Sequence, residues 1–114
     1  MSGSNLELLQ GTLDVLVLKA LIFGPEHGYA VARWIRDTTD GALEIEEGAL
    51  YTALHRMEKR GWLRSEWGQS ENNRRAKYYA LTEEGRKQLR AGEKSWAEYA
   101  EAVFKVLRVA EGRS

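Results

Sequence analysis

Ile45-Glu46-Glu47-Gly48-Ala49-Leu50-Tyr51-Thr52-Ala53-Leu54-His55-Arg56-Met57-Glu58-Lys59-Arg60-Gly61-Trp62-Leu63 is the stretch on which the reading of this chain turns. From Glu47 onward, Leu50, Ala53, Leu54 and Met57 recur at three- and four-residue steps and make one apolar stripe on a helix. At about 100° per residue the opposite face carries Gly48, Thr52, His55 and Lys59, with Ala49, Tyr51 and Arg56 on its shoulders. None of these is an acid. The front of the face is small and hydrogen-bonding, and its back is basic. Such a surface suits a DNA major groove: Gly48 and Ala49 permit close approach, Thr52 and His55 reach base edges, and Arg56 and Lys59 meet phosphates. A core helix with a solvated basic face would look the same, so the flanking sequence decides. Gly61 closes the helix as a left-handed residue just past its end.

Downstream of Gly61 the period changes to two. Leu63, Ser65 and Trp67 alternate with Arg64, Glu66 and Gly68, and a second alternating run covers Ala76 to Leu81, with Lys77, Tyr79 and Leu81 on one face. Between them Gly68 to Arg75 is polar and rich in turn formers, an eight-residue tip that ends in Arg74-Arg75. Thr82 then caps a long helix whose first turn holds Glu83 and Glu84. Along it Leu89, Gly92, Trp96, Tyr99, Val103, Val106 and Ala110 recur at alternating steps of three and four, a coiled-coil-like seam that Phe104 and Leu107 widen.

Upstream lie two shorter helices. Thr12 is expected to cap the first, with Asp14 in its opening turn and Leu13, Leu16, Val17, Ala20 and Leu21 buried. It stops at Gly24-Pro25, which contains the one proline of the chain. The second runs from about His27 to Thr39 with Val31, Trp34, Ile35 and Thr38 on one side, and Asp40-Gly41 breaks it. Leu43 and Ile45 alternate with Glu44 and Glu46 as a short extended lead into the central helix. Leu6, Leu8 and Leu9 are too apolar to stay exposed and are expected to pack on the long helix.

The bounds agree with one domain carrying an appended element. The chain has 114 residues, 43% of them hydrophobic, and no cysteine, which excludes disulfides, thiolate metal sites and a cysteine nucleophile. Leu13 to Phe23 is too short to span a membrane and is interrupted by Asp14 and Lys19, and no signal peptide opens the sequence, so a cytoplasmic location is expected. Net charge is zero, but it is unevenly placed. Residues 1–46 hold three Lys/Arg against seven Asp/Glu, whereas residues 47–79 hold seven against four. The basic segment is the one that contains the groove-type helix, and local sign governs docking on phosphate. No phosphate loop, metal spacing or acid–base set appears, so neither an enzyme nor a cofactor is expected.

Three helices followed by a two-stranded hairpin make a winged helix-turn-helix, with the third helix in the groove and the hairpin beside it. The sequence also resembles the PadR-type transcriptional regulators. Four segments carry the resemblance: Gln10 to Leu13, Gly24-Pro25-Glu26-His27-Gly28-Tyr29, Glu47 to Glu58, and Arg74-Arg75-Ala76-Lys77-Tyr78-Tyr79-Ala80-Leu81-Thr82-Glu83-Glu84-Gly85-Arg86. Similar proteins usually carry serine where this chain has Glu46-Glu47, and proline where it has Thr52. The resemblance implies a homodimeric repressor joined through the C-terminal helix, released from DNA by a small aromatic molecule.

The expectation is thus a mainly α protein with a small β-hairpin: a winged helix-turn-helix domain over residues 1–81 and a dimerisation helix over 82–114. Gly48, Ala49, Tyr51, Thr52, His55, Arg56, Lys59, Arg74, Arg75 and Lys77 are expected on double-stranded DNA with an inverted-repeat operator. Leu89, Trp96, Tyr99, Val103 and Val106 are expected on the dimer seam, with Trp96 and Tyr99 also facing a small aromatic ligand. Tyr29 is expected to pack, and Tyr78 and Tyr79 to split between inside and outside. The rival reading is a winged helix that binds protein rather than DNA.

Overall fold

The computed structural model of the chain describes residues 11–112. In order, the elements are α1 (Thr12–Ala20), β1 (Glu26–His27), α2 (Gly28–Thr38), α3 (Glu47–Lys59), β2 (Leu63–Gln69), β3 (Arg75–Leu81) and α4 (Glu83–Leu107). The leucines at 6, 8 and 9 lie outside the described residues, so their packing is left as an expectation.

Each helix begins for an identifiable reason. The Glu46 carboxylate accepts from the Ala49 N–H at the start of α3, and the Thr82 hydroxyl accepts from the Gly85 N–H at the start of α4. At the start of α2 it is the His27 imidazole Nδ1 that accepts, from the Ala30 N–H. The first helix departs from expectation. Its N-cap is Gly11 in a left-handed conformation, and Thr12 is already inside the helix, where its hydroxyl accepts from another helix instead of capping its own. The helix also ends earlier, at Ala20, and Leu21 to Phe23 continue as turns towards Gly24. Gly61 has a φ of 81°, as a left-handed exit from α3 requires.

The sheet has three antiparallel strands in the order β1-β3-β2. The ladder between β2 and β3 runs from Leu63↔Leu81 out to Gln69↔Arg75. The polar tip is therefore five residues, Ser70 to Arg74, shorter than the composition suggests, because Gly68 and Gln69 still pair. Ser70 and Arg74 close it through a backbone hydrogen bond of 2.8 Å, and Asn73 takes a left-handed φ of 60°. The short β1, Glu26↔Tyr79 and His27↔Tyr78, was not foreseen. It pins the start of α2 to the hairpin. Leu43 and Ile45 do alternate inward but join no ladder.

The core gathers one stripe from every helix: Val17, Leu18, Ala20 and Leu21, then Val31 and Ile35, then Leu50, Ala53, Leu54 and Met57. Leu63, Tyr79, Leu81 and Leu89 complete it. Tyr79 points inward and its neighbour Tyr78 lies on the other face of the strand, where its hydroxyl donates to the Gln69 carbonyl. On α2, Trp34 is only half-buried and Thr38 is exposed, so the buried stripe is narrower than its sequence pattern suggests. Leu89 is 3% exposed within a single chain. It belongs to the core, not to a dimer seam, because the first two turns of α4 lie over the hairpin base and α1.

Candidate nucleic-acid interface

The apolar stripe of α3 faces the core, which leaves Gly48, Ala49, Thr52, His55 and Lys59 exposed. Tyr51, Thr52, His55, Arg56, Lys59 and Arg60 line one open depression of about 620 Å³ along this helix. No acidic side chain lines it. Tyr51 is 42% exposed and also braces the domain: a Cβ on Gly28 would fall 2.7 Å from its ring, so α2 starts directly beneath the phenol. The glycine before Tyr29 is thus a close-approach residue between α2 and α3.

Two residues expected on DNA are engaged within the chain. Arg56 donates a fork of hydrogen bonds to Asp14 on α1, at 2.6 and 2.9 Å. These bonds raise its pKa above the already high arginine value. Lys77 on β3 lies 3.4 Å from the Glu58 carboxylate on α3. Glu58 also accepts from the Ser65 hydroxyl of β2, and this hydrogen bond, with help from Lys77, pulls its pKa below the ordinary 4.5. The cluster fixes the base of the hairpin against the groove helix. Burial pushes the pKa of the Tyr79 phenol upward.

Above that base the hairpin carries the rest of the basic surface. The Arg75 guanidinium stacks 4.5 Å from the centre of the exposed Trp67 ring, and Arg74 closes the tip. Between hairpin and helices lies a groove of about 750 Å³, whose walls include Tyr29, Arg33, Tyr51, Trp67, Arg74 and Arg75. Tyr29 is 62% exposed, so it is not the packing residue expected. It lies nearly parallel to the His27 ring at 6.4 Å and beneath the Arg33 guanidinium at 5.3 Å. Tyr29, Arg33 and Trp67 line this groove and Arg60 the depression along α3, and all four were absent from the sequence-based set. The i, i+4 spacing of Tyr29 and Arg33 was the available signal.

Helix α4 continues past the core with Trp96, Tyr99, Phe104, Val106 and Leu107 exposed and Val103 half-buried. Gly92 is not an open point on a seam. A Cβ there would fall 2.6 Å from Val15 Cγ2, so α1 crosses α4 at this glycine. One turn further on, the Trp96 indole N–H donates to the Thr12 hydroxyl at 3.1 Å. Gly11, Thr12, Val15, Gly92, Ser95, Trp96 and Tyr99 surround an open cavity of about 490 Å³. No group of three or more metal-ligating side chains occurs among the described residues, and no described helix is long and apolar enough to cross a membrane.

A helix pair that presents an acid-free groove face, with a basic hairpin beside it, defines a winged helix-turn-helix protein. The family model of the transcriptional regulator PadR-like family matches residues 17–91. The PadR family transcriptional regulator of Eggerthella lenta has a similar crystal structure, with 36% identity and a TM-score of 0.74 over 89% of this chain and 86% of that one. A transcriptional regulator from Clostridium thermocellum is 35% identical, with a TM-score of 0.73 over 81% of this chain and 89% of that one. An uncharacterized protein of Lysinibacillus sphaericus is 28% identical over 97 residues, 85% of this chain and 89% of that protein. The chain belongs to the PadR-like family of transcriptional regulators, a family of regulators rather than enzymes.

Proposed function

We propose that the protein is a cytoplasmic, sequence-specific DNA-binding repressor that acts as a homodimer on an inverted-repeat operator. The observation that carries this is the outer face of α3. Thr52, His55 and Lys59 stand exposed with no acid among them, and Arg74 and Arg75 line the neighbouring groove, which shares Tyr51 with this face. Thr52 and His55 read base edges, Gly48 and Ala49 admit the helix to the groove, and Lys59, Arg74 and Arg75 meet phosphate. Tyr51 lies at the groove edge. Tyr29 and Arg33 extend the phosphate-facing surface beyond α3. Arg56 and Lys77 contribute mainly through the ion pairs that orient α3 and the hairpin.

The second half of α4 supplies the two-fold contact. Its apolar run of Trp96, Tyr99, Val103 and Val106 is longer than one domain covers, and an isologous pairing buries it. Two groove helices about one helical turn apart, roughly 34 Å, then meet two half-sites. A flat aromatic molecule in the cavity under Trp96 and Tyr99 releases the DNA if it favours a different spacing of the two helices.

The test is binding to a randomised duplex pool at two salt concentrations. Tight, salt-dependent binding and recovery of an inverted repeat on selection are expected. Binding of no duplex at low salt would refute the DNA reading and leave the protein-binding one.

A further inference from the structure

Besides the core residues Val17, Leu18 and Ala20, four side-chain contacts fasten α1 to its neighbours, and three of them fall within one turn. Thr12 holds the Trp96 indole, Val15 fills the space over Gly92, and Asp14 between them takes both hydrogen bonds of the Arg56 fork. At the far end of the helix Lys19 reaches Glu93 at 2.9 Å. Helix α1 is therefore held to α4 both near its start and near its end, and Asp14–Arg56 is its polar link to α3 among the described residues. Asp14 is largely shielded, with 19% of its side chain exposed.

Apart from the Glu58 ties to the hairpin through Ser65 and Lys77, the rest of the α3 seat is apolar: Leu50, Ala53, Leu54 and Met57. Such contacts resist separation but have little direction, whereas a forked guanidinium–carboxylate pair is planar and directional. The distinction matters for reading bases. At about 5 Å from the helix axis, a roll of about 10° carries a side-chain end by about 1 Å. A reading side chain must hold its place to within about 0.5 Å.

We propose that Asp14 is a positioning residue for DNA binding: through its fork with Arg56 it fixes the roll of α3 relative to α1, and through Thr12 and Val15 relative to α4 at Trp96 and Gly92. This rests on the DNA reading above and adds the route by which the α4 cavity and the groove face share one frame. A molecule that displaces Trp96 from Thr12 shifts α1, and the fork passes that shift to Thr52 and His55. Arg56 then serves DNA binding by its hold on Asp14, not by a phosphate of its own.

The experiment compares Asp14→Ala, Arg56→Lys, Arg56→Met and the double variant Asp14→Ala/Arg56→Met, each checked for folding by circular dichroism. The probe is a duplex selected from the randomised pool by the wild-type protein. Arg56→Lys keeps the charge and loses the fork. The expected result is that Asp14→Ala, Arg56→Lys and Arg56→Met each weaken binding by about tenfold. The double variant is no worse than either single one, and the salt slope is unchanged. In protein labelled with 5-fluorotryptophan, the Trp96 resonance, assigned by Trp96→Phe, should move on DNA binding in wild type and stay fixed in Asp14→Ala. If Asp14→Ala binds as tightly as wild type, or Arg56→Lys is silent while Arg56→Met flattens the salt slope by about one contact, Arg56 is an ordinary phosphate ligand and the proposal falls. Wild-type protein that binds no duplex would refute the DNA reading itself, and this one with it.

Discussion

Helices α3 and α4 each turn a stripe into the same core, Leu50, Ala53, Leu54 and Met57 from the first, Gly85 and Leu89 from the second. Their free surfaces differ in kind. That of α3 ends in Thr52, His55 and Lys59, which water solvates well. That of α4 carries Trp96, Tyr99, Phe104, Val106 and Leu107, which water does not. A polar free face leaves a helix content as it is and open to a charged partner, whereas a contiguous apolar one calls for burial. Substitutions on the two helices should therefore act on different equilibria.

The largest effect belongs where α4 is still part of the domain. Leu89→Ala removes a side chain that is 3% exposed and should cost about 2–5 kcal/mol in urea unfolding. Val106→Ala, seventeen residues on and 72% exposed, should leave the unfolding of the separated protomer within about 0.5 kcal/mol. Equal costs for the two would mean that α4 does not change role along its length.

Next in size is association. A carboxylate at Val103 or Val106 would have to be desolvated if that surface pairs with a second copy. Val103→Asp/Val106→Asp should weaken self-association by at least about 30-fold, about 2 kcal/mol, in sedimentation at tens of micromolar. The fold should survive. Unchanged sedimentation would move the two-fold contact elsewhere. Smaller still is the electrostatic part of DNA binding. Arg74→Gln/Arg75→Gln should lower the salt slope by up to about 1.8, at about 0.9 per phosphate contact, without altering self-association.

Much of this division was legible in the sequence, for a local reason in each case. Helix α3 announced itself through a four-residue apolar stripe and Gly61, and the hairpin through its change of period. The failures share a cause, contacts between residues distant in sequence. Asp14 and Arg56 are 42 residues apart, and no pattern along the chain says that they meet. Leu89 and Trp96 obey one continuous heptad-like spacing, but the first is buried in the core while the second meets α1 only at its start, through Thr12, and stays largely exposed. Thr12 had the residue type of a cap, yet Gly11 took that place and left the Thr12 hydroxyl for Trp96. The two-residue strand β1 is too short to show any period.

The smallest effect tests whether the hairpin is tied to α3 independently of α4. Glu58 accepts from the Ser65 hydroxyl and pairs with Lys77, so one side chain on α3 holds both strands. The Ser65 hydrogen bond, followed by the Lys77 charge, sets its folded pKa below the unfolded value near 4.5. The sign follows from that order: the folded state binds the proton less readily, so the tie is present in full above about pH 4.5. It is lost as pH falls through the folded value. With 29% of the side chain exposed, its contribution is about 1 kcal/mol at most. Glu58→Gln should therefore unfold slightly more easily than wild type at pH 7, and the difference should shrink steadily once the pH drops below 4.5. Self-association measured at pH 7 should be the same in both, since α4 is untouched. A stability difference that stays constant from pH 7 to pH 3 would mean that the charge of Glu58 plays no part in seating the hairpin.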